Sequence, residues 1–272
     1  MTDLVAVAGL VGPTLLAGLY LAGTVRYQRL RRRRWPVVRT VAFLTGAGLL
    51  CLALSPLAEG FAGGEARDHM ARHVAIGMWA PIGLVLGAPV ALLLGTAPLS
   101  WRRPMARVLR SPVLRVATDP FLAGVINVGS MYLLYLTPLY ALSSQGGPVH
   151  HLVHVHFLLA GWLFTWAIVG PEPTPHRPRV AVRVVALVLA AAAHAHLGKL
   201  LYARAETLPP GTGYGVAEVQ AAAQWMYYGG DLAEVLLATA LFAAWYRQAG
   251  HRLRSRPSPS GSSGSPPAPS PA

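Results

Sequence analysis

Apolar residues in this chain come in continuous blocks of about 20, the length that crosses the roughly 30 Å hydrocarbon core of a bilayer as helix. Strand crossings would show short segments of alternating polarity, which these blocks do not. Only 12% of the residues are charged, against about 25% in a soluble domain. The blocks lie at about 4–25, 37–57, 71–95, 121–141, 150–169, 180–203 and 217–246. The expected fold is therefore all-α, a polytopic membrane bundle of seven transmembrane helices over residues 1–247. A disordered cytoplasmic tail is expected over 248–272, because from Ser255 onward the chain is rich in Ser, Pro and Gly and has no apolar face.

The connections orient the bundle. Arginines crowd Arg26–Arg34, Arg102–Arg115, Arg177–Arg183 and the segment from Arg247 onward. With Arg39, these regions hold all of the 23 basic residues except Arg67, Arg72, Lys199 and Arg204. The alternate connections carry Glu59, Glu65, Asp68, Glu206 and Glu218. By the positive-inside rule the arginine-rich side is cytoplasmic, which puts the N-terminus outside and the C-terminus inside, as an odd number of spans requires. The first block has Asp3 before it and arginines after it, so it reads as a retained helix rather than a cleaved signal. Placed this way, the +13 net charge is an orientation signal with some affinity for anionic lipid, and nucleic acid is excluded as a partner. A single cysteine, Cys51, rules out an intrachain disulfide or a two-cysteine metal clip.

Histidines supply the candidate chemistry. His69 and His73 open the third block, His150, His151, His154 and His156 open the fifth, and His194 and His196 lie near the end of the sixth. At 1.5 Å per residue all three groups fall within roughly 10–15 Å of the outer boundary. Ionisable groups are costly in lipid and mark function by default. His69 and His73 are i,i+4, as are His150 and His154, so each pair shares one helix face and could chelate one ion. His154 and His156 point to different faces, and so do His194 and His196. The expected ligands are His69, His73, His150 and His154 with one histidine of the sixth block, and His151 is a further candidate. Met70 and Met226 lie at the right depth to add a soft donor, which would favour Cu(I).

A lone histidine at an interface more often bonds a carbonyl or headgroup than a metal, and His151 and His156 are open to that reading. His176 and His251 read as solvated on the cytoplasmic side, and Cys51 as a small core residue. Asp231 and Glu234 in the seventh block must face the bundle or a water cavity. A proton relay, a partner for Lys199 and polar packing near Gly229-Gly230 all fit them.

The run His69-Met70-Ala71-Arg72-His73, followed by Ala80-Pro81-Ile82-Gly83-Leu84-Val85-Leu86-Gly87-Ala88-Pro89, resembles the third-span signature of the CtaG-type cytochrome c oxidase assembly factors. His150 through Gly161 is similar to that family's second histidine motif, and Pro171-Glu172-Pro173 to the turn after it. The resemblance covers about residues 5–247. It departs at the seventh block, where Glu218 through Met226 replaces the family's Asp, Gln and Gly before a Met-Trp pair. It implies a multi-pass protein of the bacterial plasma membrane that is not an enzyme. Its partner would be a cytochrome c oxidase subunit during assembly, and its role copper insertion.

Other readings stay open beside this one. A haem-binding electron-transfer protein could use histidines of facing helices as axial ligands, although two haems need ligands at two depths. A metal or proton-coupled transporter would place its site near the midplane, where only Asp231 and Glu234 hint at one. An intramembrane metallohydrolase is disfavoured, since no His-Glu-x-x-His stretch occurs.

Overall fold

The computed structural model describes residues 2–171 and 177–254, with side chains from residue 9 to 250 except Leu57. The expected tail from residue 255, the turn beyond Pro171 and His176 lie outside the described residues. Helix accounts for 83% of the described residues, which contain no strand.

Among the described residues twelve α-helices follow one another: α1 Thr2–Arg31, α2 Val37–Leu54, α3 Glu65–Val74, α4 Ala80–Leu86, α5 Pro89–Thr96, α6 Leu99–Leu109, α7 Pro112–Ala117, α8 Pro120–Leu136, α9 Leu139–Ser144, α10 Gly147–Val169, α11 Val180–Ala203 and α12 Val216–Arg254. Among the described residues four stretches are long and apolar enough to cross a membrane: Val37–Leu54, Glu65–Thr96, Gly147–Val169 and Val180–Ala203. Helix α8 is apolar but shorter. It ends at Leu136 rather than continuing to 141, because Thr137 precedes Pro138 and is driven into an extended conformation (φ −122°, ψ 167°). Helix α12 runs on to Arg254, past the expected boundary at 247.

The third block is the most irregular. Between α3 and α4 lies one π-helical turn, Ala75–Trp79, in which the Ala80 amide reaches back to the Ala75 carbonyl. Pro81 explains it. A proline lacks an amide hydrogen and crowds the carbonyl four residues earlier, here Gly77, and the wider turn relieves that clash. The block breaks again before Pro89, where Ala88 takes a left-handed conformation (φ 52°). There the Tyr20 hydroxyl donates to the Gly87 carbonyl at 2.7 Å and Trp35 Nε1 donates to Tyr20 at 2.9 Å, which ties α1 and the head of α2 to the break.

Small residues bring the helices together. An ideal Cβ on Gly46 of α2 would fall 2.6 Å from the Ala80 carbonyl oxygen, and one on Gly83 of α4 2.6 Å from that of Ala42. The π turn meets α10 through Gly77 and Gly161 in the same manner. In lipid, where apolar burial gives no net drive, such close backbone approach is a main source of helix association. One core joins α3, α8, α10, α11 and α12 around Met70, Tyr135, Phe157 and Met226. A second continues along α8, α10, α11 and α12 through Phe164, Ile168, Leu187 and Leu237.

Arginines of the connections have a further task. Arg177 donates to the Val169 carbonyl at 2.8 Å and also to that of Gly170, and Arg183 donates to Ile168 at 2.8 Å, all at the end of α10. Arg26 and Arg31 reach the carbonyls of Thr96 and Gly95 at the end of α5. These guanidinium groups satisfy carbonyls that helix ends leave unpaired and complement the helix dipole.

Candidate functional site

Four histidine rings converge where α3 and α10 face each other. Their i,i+4 spacing turns His69 and His73 to one face of α3, and His150 and His154 to one face of α10. The ring centroids of His69 and His73 are 4.1 Å apart and those of His150 and His154 4.2 Å. Across the helices, His73 lies 5.4 Å from His154, and His69 lies 6.3 Å from His150 and 6.4 Å from His154. His73 and His154 are buried, and His69 and His150 half-buried.

The free nitrogens are informative. Nε2 of His69, His73 and His154 is buried in each case without a hydrogen-bond partner, although buried polar atoms are nearly always paired. At His150, Nδ1 lies 3.0 Å from the Ser143 carbonyl. Only an Nδ1–H can donate there, which leaves the Nε2 lone pair for another use. At His73, Nδ1 lies 2.8 Å from the Tyr135 hydroxyl, which itself donates to Met70 Sδ at 3.2 Å. With the tyrosyl proton directed at sulfur, His73 Nδ1–H donates to the tyrosyl oxygen and Nε2 again carries the lone pair. Such outer partners orient imidazoles for ligation. The rings as they stand are neighbours rather than a closed site: among the described residues no three His, Cys, Asp or Glu side chains are arranged to hold a metal ion.

The remaining candidates lie apart. His194 is buried on α11, with Nδ1 3.3 Å from Glu234 Oε1 on α12 and its ring in a space that a side chain on Gly230 would fill. His196 is exposed and pairs through Nδ1 with the Tyr132 hydroxyl at 2.8 Å. As for the histidine expected from the sixth block, α11 turns His194 toward Glu234 of α12 and His196 toward Tyr132 of α8, and both ring nitrogens of His194 are buried without a hydrogen-bond partner. His151 is exposed, with its ring 5.6 Å from that of His150, and His156 is exposed beside Phe157. Met226 is fully buried in the core around Met70. Cys51 is partly exposed on α2. Lys199 lies over the Tyr227 ring at 5.4 Å, so Glu234 is the partner of His194 rather than of Lys199.

The model of the cytochrome c oxidase caa3 assembly factor family (Caa3_CtaG) matches residues 18–248. The chain belongs to this family. It is 34% identical over 207 residues to uncharacterized proteins of Mycobacterium bovis and Mycobacterium tuberculosis, a match covering 74% of this chain and 31% of theirs. A similar protein of Mycobacterium leprae is 33% identical over 201 residues, covering 70% of this chain and 30% of its own. The chain thus spans about a third of the length of these relatives. No solved structure matches it.

Three features of the site were invisible in sequence. Tyr135 reads there as one more aromatic of an apolar block, the Ser143 carbonyl carries no side-chain signal, and the His194–Glu234 pair joins two helices. The Gly229-Gly230 pair was the one available hint of the last, since adjacent glycines in a helix mark a close approach.

Proposed function

We propose that this member of the assembly-factor family holds copper at the cluster of His69, His73, His150 and His154 and passes it to a cytochrome c oxidase subunit during assembly. Family membership supports the oxidase partner. The observation that carries the copper reading is the set of buried, unpartnered Nε2 atoms on His69, His73 and His154. Imidazole nitrogens suit copper, zinc, iron and nickel, and the Met70 thioether beside His73 shifts the preference to copper. Handing on an ion needs ligands that can rearrange, and rings 4–6 Å apart on two separate helices meet that need.

The chain would cross the bacterial plasma membrane seven times, with α1, α2, α3–α5, α8, α10, α11 and α12 as the spans. The N-terminus would be outside and the C-terminus in the cytoplasm. Support comes from the arginine distribution and from the position of the cluster near the acidic ends of α3 and α12. Copper would then have access from the outer face.

The test is metal content and visible spectrum of the purified full chain after anaerobic copper loading, with oxidase copper measured in cells. Copper lost in a His73→Ala/His154→Ala variant, together with copper-poor oxidase, is the expected result. A Soret band would replace the reading with haem electron transfer, and absence of bound copper would end it. Proton-coupled metal transport is a second reading. The pair of buried His194 and half-buried Glu234 favours it, since such groups in spans serve proton relays, and vesicle uptake of copper would distinguish it from delivery.

A further inference from the structure

Two guanidinium groups converge on the end of α10. Arg177 donates to the carbonyls of Val169 and Gly170, and Arg183, at the start of α11, donates through Nη1 to that of Ile168 at 2.8 Å. Arg183 is only 4% exposed, and its Nε is buried with no hydrogen-bond partner. Trp166 Nε1 is a second buried donor without a partner, and an ideal Cβ on Gly170 would lie 2.8 Å from it. Among the described residues no carboxylate pairs with either guanidinium. Helix α11 itself starts without a capping side chain and with no acid in its first turn.

Carbonyl oxygens cap these arginines but do not neutralise them. A helix C-terminus carries the equivalent of about half a negative charge, and the N-terminus of α11 an opposite half. The two arginines therefore keep about two positive charges between the helix ends. Buried charges are normally paired, and orphaned buried donors are rare. The planar guanidinium fork matches phosphate oxygens, and the free amides of a helix N-terminus favour the same anion. Depth decides where that phosphate comes from. Helices α10 and α11 are both long and apolar enough to cross a membrane, and Arg183 lies about one turn from the start of α11. The exposed face that follows on α11 is apolar, with Val185, Val188 and Leu189. Acyl chains beside that face hold a lipid phosphate at the level of the arginines, as basic pockets between spans do.

We propose that Arg177 and Arg183 form a site for one anionic phospholipid, held by its headgroup phosphate between the end of α10 and the start of α11. The lipid supplies the counter-charge that the described residues lack, and it joins the two helices at the end opposite the histidine cluster. The site is independent of the copper reading.

Native mass spectrometry of the full chain in detergent tests this, with dioleoylphosphatidylglycerol against dioleoylphosphatidylcholine and with inorganic phosphate as competitor. Phosphatidylglycerol is expected to bind at one site about twenty-five-fold more tightly than phosphatidylcholine, about fivefold for each arginine. Arg183→Gln is expected to remove about fivefold of that preference. Arg177→Gln, a change at a half-buried side chain, should do the same, so the result does not hang on whether the Arg183 variant folds. Arg107→Gln alters an exposed arginine of α6 and should keep the full preference. Equal binding of the two lipids, or an unchanged preference in both Arg177→Gln and Arg183→Gln, overturns the site. Inorganic phosphate bound as tightly as phosphatidylglycerol assigns the arginines to a soluble anion and overturns the lipid. Glu172 is the carboxylate nearest Arg177 in the sequence. Lipid binding that appears only in Glu172→Gln makes that carboxylate the native counter-ion and overturns the proposal as well.

Discussion

The Gly77 carbonyl oxygen occupies the space that a side chain on Gly161 would need. Pro81 displaces this carbonyl from regular helical geometry, and the wide turn at Ala75–Trp79 directs it onto the α10 backbone. The contact sets how closely the His73 helix approaches the His154 helix.

Gly161→Ala is therefore expected to push α10 away from the π turn. Overpacking at such a crossing costs about 1–3 kcal/mol, which thermal unfolding in detergent would read as a lower midpoint. Gly12→Ala, where nothing lies within 4 Å of the added methyl, is the control and should unfold no earlier than the parent does.

Tyr135→Phe removes the hydroxyl between His73 Nδ1 and Met70 Sδ and keeps the ring. Loss of an outer partner of this kind weakens metal binding about 10–100-fold. Anaerobic copper titration is the measurement, with nitrogen-15 shifts of His73 reporting its tautomer. An unchanged tautomer and affinity would show that the hydroxyl serves packing alone.

Glu234→Leu leaves His194 buried beside an apolar group. Loss of the carboxylate beside this buried ring, whose nitrogens have no hydrogen-bond partner, should lower stability while metal content stays at the parent level. Loss of metal would instead join this pair to the cluster.

His151→Ala and His156→Ala change exposed side chains. Both variants should keep parental metal stoichiometry and stability within about 0.5 kcal/mol. Elemental analysis beside His73→Ala makes the contrast direct.

Much of the site was legible before the fold. His69 with His73, and His150 with His154, share helix faces by spacing alone, and their positions in two apolar blocks put them at one depth. Whether the two faces meet depends on helix rotation, which spacing does not report, and the same limit explains His194 and His196. Tyr135 was hidden for a different reason, since its role comes from a hydroxyl direction set by α8 packing on α3.

By itself the sequence determined the helical class, the apolar blocks and the pairing of histidines along each helix, because these follow from periods of 3.6 residues and from solvation residue by residue. The tertiary structure alone decided which faces meet. It set the α3–α10 approach through Gly77 and Gly161 and turned His194 to Glu234. Those outcomes depend on close packing between segments far apart in the chain, where a single methyl group changes the fit.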